Sequence, residues 1–484
     1  MFYWWIPVMN DNRFDWFARL GADFVPDFVA QLVDCAVESY SESEKSGKGV
    51  NLHARNAAFY EIASQIVSAL YQSQTPLADG MYQVSVPKGA GNYNQGLDGE
   101  LDPKKIRFSF RYVTQVLECL KQLGWVKVTE HVINKHHTLI APYGKLAREF
   151  KRIGYVWHPS APKPEVLLVE LKDVVRDKNG KAKRNKKGKT KKISLKVKST
   201  EATISKRSAL YTINTNLVQH CYSLDLNDAE LEKFETKQAI KLKVDYKCVD
   251  FFQIQLYRIF SRGSYEKGGR FYRGWWQNIL SDYRKHILID GVRTVEVDYC
   301  NMSIRMLYAK IDHEYPIGLD AYSLGLPNWE GKQDPRRKII KQFINALLND
   351  EDGVYKLNKK DVQILGLDHE QMLALVKKVH GPIFDLITAG GGQGIQYEDS
   401  QIAQDIILEL LNDNITCLPV HDSFIVQHQH ADSLVAVMKS VFKKRLGVYG
   451  VVDMVEGHRN IQIDSDSVMG KFLQAWKDHE LSES

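Results

Sequence analysis

The stretch 417-CLPVHDSFIV-426 places a histidine and an aspartate inside a run of apolar and β-branched residues. Runs of this kind are typical of buried β-strands. An ionised carboxylate in the middle of a buried strand is costly to desolvate, and a buried polar group needs a partner. The pair His421-Asp422 therefore predicts either a turn between two strands or a site at which something neutralises the carboxylate.

A second carboxylate ends a predicted strand in the stretch 294-TVEVDYCNMSIRMLYAKI-311. The pattern predicts a strand from Thr294 to Asp298 and a helix that begins near Ser303. Two carboxylates brought together repel and raise one pKa unless a cation neutralises them. Mg²⁺ takes oxygen ligands and leaves coordination sites for water and phosphate, so two aspartates without a Cys or His cluster fit this ion. Taken singly, each aspartate is explained more simply as a strand-end cap or turn residue.

A basic helix is predicted between the two carboxylates, in 334-DPRRKIIKQFINALLND-350. A proline after an aspartate favours a helix start, and polar residues then recur at four-residue intervals, which places them on one helical face. This row consists of Arg337, Lys341, Asn345 and Asn349, and the opposite, apolar side consists of Phe343, Ile344, Leu347 and Leu348. Arginine gives forked contacts to phosphate and lysine a point charge, so the row suits a triphosphate and its sugar. Considered alone, the row is equally a solvated basic face.

An amphipathic helix followed by two short strands is predicted in the first 150 residues. In 110-FRYVTQVLECLKQLG-124 apolar residues recur at helical spacing, and Gly124 is expected to stop the helix. The apolar face consists of Val113, Val116, Leu117, Leu120 and Leu123. A hairpin around Asn134-Lys135 and a further helix follow, an order that resembles a winged helix. In such a module Arg111, Gln115 and Lys121 would face DNA bases or phosphates. A helix-hairpin that touches no DNA is the alternative, and winged helices also mediate protein contacts.

The most concentrated positive charge lies in 176-RDKNGKAKRNKKGKTKKISLKVK-198, between two segments that alternate like strands. This predicts a hairpin over residues 151–205 with a long basic tip. The tip is either a solvated loop or an arm that holds a nucleic-acid backbone through salt-sensitive contacts.

The chain has 484 residues, enough for two or three domains, and a formal net charge of +6, which by itself identifies no partner. No apolar run reaches the roughly 18 residues that would span a bilayer, and the six cysteines lie far apart without a C-x-x-C pair. We therefore expect a soluble protein of a reducing, cytoplasmic compartment without a membrane partner.

Taken together and in order, these elements resemble motifs A, B and C of the single-subunit right-hand polymerases, the DNA polymerase I family and the phage-type RNA polymerases. The matching segments are VDYCNMSIR for motif A, RKIIK for the R-x-x-x-K of motif B, VHDSF for motif C, GGRFYRGWWQNI before motif A, and IQYEDSQIAQDII between motifs B and C. They cover about residues 265–430. The resemblance implies an α+β fold with an antiparallel palm sheet and helical fingers over residues 265–484, after a thumb-like or linker region at 206–264 and the winged-helix-like N-terminal region at about 55–150.

The resemblance also implies roles for individual residues. Asp298 and Asp422 would bind two Mg²⁺ ions, which Mn²⁺ can replace, with help from the Tyr299 carbonyl. Arg337 and Lys341 would hold the triphosphate, with Lys341 a candidate proton donor to pyrophosphate. The remaining assignments are Ser303, Asn345 and Asn349 near the nucleotide, and Arg270, Gln277, Gln396 and His421 along primer and template.

Three departures from the family pattern bear on the product. Ser303 stands where the DNA polymerases carry a bulky glutamate that excludes a ribose 2′-hydroxyl, so ribonucleotides are expected to fit. Asn345 replaces an aromatic residue that stacks on the incoming base, and Asn349-Asp350 stand where Tyr-Gly is expected. Loss of stacking weakens template-guided selection. The prediction is a DNA-templated polymerase of a phage or mobile element, with ribonucleotide tolerance or primer-making as its variants and with a processivity partner. A template-independent nucleotidyltransferase and an inactive, polymerase-like DNA-binding regulator are the alternatives.

Overall fold

The structure is a computed structural model. It describes residues 25–43, 52–72, 84–86, 110–129, 138–153, 169–180, 182–184, 190–195, 197, 200–242, 249, 251, 253–349, 355–456 and 464–483. The predicted turn at Asn134-Lys135, Asp350 and much of the basic tip, including residues 185–189, lie outside these ranges.

The described residues between Val25 and Ile153 form a hydrophobic core of their own. Its elements are helix α1 (Pro26–Ser43), helix α2 (Leu52–Gln72), strand β1 (Val84–Val86), helix α3 (Phe110–Gln122), strands β2 (Val126–Thr129) and β3 (Thr138–Pro142), and helix α4 (Gly144–Ile153). The three strands form an antiparallel sheet in the order β1-β3-β2. The order helix, hairpin, helix over α3 to α4 is thus confirmed, and the winged-helix assignment stays a prediction.

Helix α3 ends as the sequence predicts, with one correction. Gly124 has φ +64°, a left-handed conformation that favours glycine, and the next residue donates its N–H back to the carbonyl of Leu120 at 3.0 Å. Val113, Val116 and Leu120 are buried, whereas Leu123 is exposed. Leu123 was expected on the buried face, but the helix has already ended at Gln122, so the helical spacing no longer directs this side chain inward.

The basic hairpin belongs to a larger sheet. Strands β4 (Val169–Val174) and β5 (Lys192–Leu195) pair in antiparallel fashion, as predicted, and two isolated antiparallel bridges, Arg176–Ala182 and Arg184–Thr190, lie nearer the tip. Strand β4 also pairs in parallel with β7 (Tyr257–Ser261), which pairs with β8 (Ser264–Tyr272). The resulting four-stranded order β5-β4-β7-β8 joins segments that are far apart in the sequence.

The second large sheet carries both predicted carboxylates. Its strands are β6 (Tyr222–Leu224), β9 (Ile287–Ile289), β10 (Val292–Tyr299), β11 (Leu418–Val420), β12 (Ser423–Gln427) and β13 (Val452–Glu456). All pairings are antiparallel, with β12 on one side of β10 and β13 on the other. This agrees with the α+β class and antiparallel sheet expected from the sequence.

Helices pack around these two sheets. They are α5 (Glu201–Leu217), α6 (Asp228–Leu242), α7 (Trp275–Asn278), α8 (Ser281–Arg284), α9 (Met302–Ala309), α10 (Pro335–Asn349), α11 (Lys359–Leu365), α12 (His369–Val379), α13 (Phe384–Thr388), α14 (Gly392–Asn412), α15 (Ala431–Leu446) and α16 (Val468–Glu483), with 3₁₀ turns at Gly331–Gln333, Gly381–Ile383 and His428–His430. The predicted helix starts at Pro335 and near Ser303 are confirmed.

Residues from 169 to 476 share one continuous hydrophobic core. The segments separated in the sequence analysis as 151–205, 206–264 and 265–484 therefore interdigitate, since β6 pairs with β9 and β4 with β7. Within the described ranges no helix is long and apolar enough to cross a bilayer.

Candidate active site

His421 and Asp422 form the two-residue turn between β11 and β12. Val420 and Ser423 pair directly across it. His421 has φ +62°, a left-handed conformation that costs a residue with a side chain roughly 1 kcal/mol and persists where the surroundings enforce it. The backbone carbonyl of Asp422 accepts a hydrogen bond from the N–H of Tyr299 at 3.2 Å. The buried run is interrupted because the chain reverses there, and the reversal brings Asp422 to the end of β10.

Asp298 lies at that end of β10, at the centre of the sheet. It pairs in register with Ser423 on β12 and with Asp453 on β13. Residues paired directly across antiparallel strands point to the same face, so these three side chains share one face. The flanking Val297 and Tyr299 are buried on the other face, where the Tyr299 hydroxyl donates to the carbonyl of Met438 at 2.5 Å. Only the backbone of Tyr299 is thus available to the Asp298 side of the sheet.

The charge of Asp422 acts on Asp298. Burial and then the negative charge of Asp422 raise the pKa of Asp298 to about 7, and the ammonium group of Lys341 opposes this rise. A carboxyl whose pKa is near neutrality beside a second carboxylate is one for which the nearby positive charge does not offset burial and repulsion. A cation bound between the two carboxylates would offset their repulsion.

A hydrogen-bond network next to the two aspartates holds the start of β12 in place. The hydroxyl of Ser423 donates to Glu296 Oε1 at 2.6 Å, and Arg284 binds both oxygens of Glu296 at 2.9 and 3.0 Å. Glu296 lies two residues before Asp298 on the same face of β10. The turn that carries Asp422 is therefore anchored on the strand that carries Asp298.

The two cations of helix α10 lie against one loop residue. The Arg337 guanidinium is 5.2 Å and the Lys341 ammonium 5.9 Å from the ring centre of Tyr322, which is 3% exposed. Arg337 also binds both carboxylate oxygens of Asp320, at 2.7 and 3.2 Å. Lys341 is exposed, and its charge acts on Asp298.

The two asparagines of the same row differ from these cations. Asn349 donates to the carbonyl of Asn345 at 2.8 Å and accepts from Gln393 at 3.3 Å, so its amide stabilises the contact between α10 and the start of α14. Asn345 is half-buried. The contacts of Asn349 are those of a structural residue, and substrate binding by Asn345 and Asn349 stays a prediction.

Arg270 forms an ion pair with a buried residue, Asp399, that was not predicted from the sequence. Its Nε donates to Asp399 Oδ2 at 2.5 Å, and Asp399, on α14, is 2% exposed. Burial is the main cause that raises the pKa of Asp399 to about 6, which Arg270 opposes and Asp422 reinforces. The Arg270 side chain remains 24% exposed, and its charge interacts with that of Asp422.

His421 completes this group. Its ring lies 6.0 Å from that of Tyr272, edge to face. Burial and then the charge of Arg270 lower the pKa of His421 to about 4, so the imidazole is neutral at physiological pH. Its Nδ1 is buried without a hydrogen-bond partner in the described part of the chain. A neutral, partly unsatisfied imidazole beside Asp422 is suited to contact a ligand by hydrogen bonding rather than by charge.

The other predicted nucleic-acid residues occupy different surroundings. The Gln277 amide donates to the carbonyls of Phe271 and Pro419 at 3.1 and 2.9 Å and so ties β8 to β11. Gln396 is 8% exposed on α14. The bonds of Gln277 are structural, and a template contact by either glutamine stays a prediction.

Three further predicted residues need separate mention. Ser303 is half-buried in the first turn of α9. Arg111 is exposed at the start of α3, and Lys121 near its end pairs with Glu118 at 3.1 Å. Arg111 and Lys121 thus lie on helix α3 of the N-terminal unit and not in the group around Asp298.

Sequence reasoning missed Asp320, Tyr322 and Asp399. The first two lie in the loop between α9 and α10, where no periodic pattern draws attention to them. Asp399 carries a usable signal, because it is a carboxylate among the residues of α14 that face the core, such as Ile395 and Ile402. A buried charge on a helix needs a partner, and that requirement could have led to Arg270.

The donor set fits Mg²⁺ better than a transition metal. In the described part of the chain no group of three or more His, Cys, Asp or Glu side chains is arranged to hold a metal. Two carboxylates remain, and Mg²⁺ is commonly bound by one or two carboxylates with water and substrate phosphates as the other ligands. The unneutralised pair Asp298 and Asp422 matches that requirement.

Comparison with known proteins gives little. No protein-family model matches the chain, and no curated protein matches it. Among solved structures, the POL domain of Pol1 from M. smegmatis, in complex with DNA primer-template and dNTP, aligns at a TM-score of 0.32 and 12% identity. The alignment covers 60% of this chain and 58% of that chain.

Proposed function

We propose that this chain is a nucleic-acid polymerase that adds nucleotides to a primer 3′-hydroxyl on a DNA template. The observation that carries the proposal is the meeting of Asp298 and Asp422 at adjoining strand ends, where burial and then the negative charge of Asp422 raise the pKa of Asp298 to about 7. A site that holds two mutually repelling carboxylates close together is suited to a divalent cation. Two Mg²⁺ ions bound there would lower the pKa of the attacking hydroxyl and stabilise the leaving pyrophosphate.

The surrounding residues support a nucleotide substrate. Arg337 and Lys341 project from one face of α10 and both lie against the ring of Tyr322, and the charge of Lys341 acts on Asp298. We assign the triphosphate to these two cations, with Lys341 as the proton donor to pyrophosphate. The primer end is assigned to Arg270, held by Asp399, and to the neutral His421. Phosphoryl transfer asks mainly for positioning and charge neutralisation, which this arrangement provides.

The proposed substrate includes ribonucleotides. Ser303 is a small residue on the first turn of α9, five residues beyond Asp298, and its side chain leaves room where a long acidic residue would exclude a 2′-hydroxyl. A primer-making role would use this tolerance. The basic hairpin and the N-terminal unit with Arg111 and Lys121 are then assigned to DNA.

Primer extension tests the proposal. The purified chain is given a labelled primer on a DNA template, Mg²⁺, and deoxyribonucleotides or ribonucleotides in separate reactions. Template-matched extension that Asp422→Asn abolishes and Asp453→Asn retains is the expected result, because Asp453 shares the sheet face but pairs with Lys332. Equal extension of unprimed single strands would favour template-independent transfer, and no extension with either sugar would favour an inactive DNA-binding protein.

A further inference from the structure

The proposed triphosphate-binding arginine already holds an anion of the protein. Arg337 Nε donates to Asp320 Oδ2 at 2.7 Å, and Arg337 Nη2 donates to Oδ1 at 3.2 Å. Each side chain is 21% exposed, so the pair is partly desolvated and solvent still reaches it. A forked guanidinium-carboxylate contact has the geometry with which arginine also binds phosphate. Asp320 therefore occupies the donors that a triphosphate would need.

The loop that supplies Asp320 also fixes where the guanidinium lies. Tyr322 donates its backbone N–H to Asp320 Oδ1 at 3.2 Å, and its buried ring lies beneath both Arg337 and Lys341. Stacking on an aromatic face holds a guanidinium plane in place while its edge stays available to hydrogen-bond acceptors. Arg337 can thus exchange one anion for another without leaving the ring.

The neighbouring cations show that this arrangement is particular to Arg337. Arg336 binds Asp334 in a similar fork, but that pair lies at the start of α10 and reaches the carbonyls of Pro327 and Asn328. Lys341 has no ion pair in the described part of the chain. Of the two cations assigned to the triphosphate, Lys341 thus has no ion-pair partner among the described residues, whereas Arg337 is bound to Asp320.

We propose that Asp320 is an internal competitor for the triphosphate site, so that nucleotide enters and pyrophosphate leaves by exchange with Asp320 on Arg337. The inference rests on the proposed function for the identity of the ligand. Its physical basis is that a polyanion and the Asp320 carboxylate cannot both use the same fork without repelling each other. By reclaiming Arg337, Asp320 weakens the binding of substrate and product alike and promotes product release.

The test is direct binding, which requires no catalysis. Inorganic triphosphate and pyrophosphate are titrated calorimetrically, with Mg²⁺, into the full chain and into Asp320→Asn. Asparagine keeps the oxygen that accepts from Tyr322 but removes the charge. We expect both anions to bind about fivefold more tightly, which corresponds to about 1 kcal/mol, the upper range for a partly exposed ion pair. The matched control Asp334→Asn, which keeps a helix-capping oxygen, is expected to leave both affinities unchanged.

Arg337→Met provides the second arm. In that background Asp320→Asn should change neither affinity, because the contested guanidinium is gone. Weaker or unchanged binding by Asp320→Asn alone would overturn the inference, since Asp320 would then merely orient Arg337. Equal tightening with and without Arg337 would also overturn it, because the effect would be a general loss of negative charge. Asp320→Ser, with thermal unfolding of every variant, guards against misfolding as the cause.

If polymerisation fails while these binding results hold, the proposed function fails and the competition stands. If extension occurs and the affinities do not change, the proposed function stands and the competition fails.

Discussion

Replacing Asp298 with asparagine is expected to stabilise the metal-free protein. At pH 8 in EDTA both Asp298 and its neighbour Asp422 face each other without a cation, and burial and repulsion raise the pKa of Asp298 to about 7 from its ordinary 3.8. The ionised form is thus disfavoured in the folded state relative to the unfolded chain. Asparagine removes that charge at nearly constant volume. Thermal unfolding of the parent and of Asp298→Asn, in EDTA at several pH values, measures the difference.

The magnitude follows from linkage between protonation and folding. A difference of about 3 in pKa, at about 1.4 kcal/mol each, gives an upper limit of about 4 kcal/mol. Solvent reaches the half-buried carboxylate, so we expect about 2 kcal/mol, or a rise in Tm of about 4 °C. Because the folded-state pKa is raised, the parent gains stability as the pH falls from about 7 to about 4, where the folded state binds a proton and the unfolded chain does not. The advantage of the variant should therefore shrink by more than half between pH 8 and pH 5.

Asp453→Asn is the matched control, since Asp453 pairs with Asp298 across the sheet but has Lys332 as an ion-pair partner. It should not stabilise the protein at pH 8. Mg²⁺ should raise the Tm of the parent and have little effect on Asp298→Asn. Two results would refute the claim that Asp298 and Asp422 repel each other in the metal-free protein. One is an Asp298→Asn variant that is less stable than the parent at pH 8, and the other is a difference in Tm that does not depend on pH.

Three further predictions concern the framework of the site. Asp399→Ala removes the ion-pair partner of Arg270 and should lower the free energy of unfolding by about 2 kcal/mol. The loss is smaller than for a fully buried pair because Arg270 is 24% exposed. Urea denaturation that shows no loss of stability would contradict a stabilising role of the pair. Gly269→Ala should lower the melting temperature more than Gly366→Ala does. Both glycines have positive φ, but only at Gly269 would a new Cβ lie 2.6 Å from a buried ring, so equal melting temperatures would contradict this prediction. Arg258→Met should lower the free energy of unfolding, measured by urea denaturation, by about 3 kcal/mol, because the buried guanidinium donates to four acceptors on β8 and α14. An unchanged urea midpoint would show that these hydrogen bonds make no net contribution to stability.

Local patterns in the sequence were enough to predict the elements that carry the site. The strand that ends at Asp298, the reversal at His421-Asp422 and the helix that starts at Pro335 are all as expected. Each depends on signals within a few residues: alternation of apolar side chains, a polar pair that interrupts it, and a proline after an aspartate. The same holds for the end of α3 at Gly124.

Long-range pairings could not be predicted in the same way. Strand β4 joins β7 in parallel across more than 80 residues, and β13 flanks β10 opposite β12; neither register leaves a trace in the local pattern. Asp320 was missed for the same reason, because its partner Arg337 lies on another element and only the folded loop brings them together. A periodic pattern cannot predict a side chain whose role depends on a charge far away in the sequence. It can predict a carboxylate at a core-facing position of a helix, such as Asp399.

The most direct test of the central claim is a double-mutant cycle on the rate of single-nucleotide incorporation. Parent, Asp298→Asn, Asp422→Asn and the double variant are compared on a primed DNA template with saturating Mg²⁺. If the two carboxylates act as one cation-binding unit, each single variant should lose at least about a thousandfold in rate and the double variant should lose no more than the worse single one. Substantial incorporation by either single variant, or losses that multiply in the double variant, would contradict a shared site.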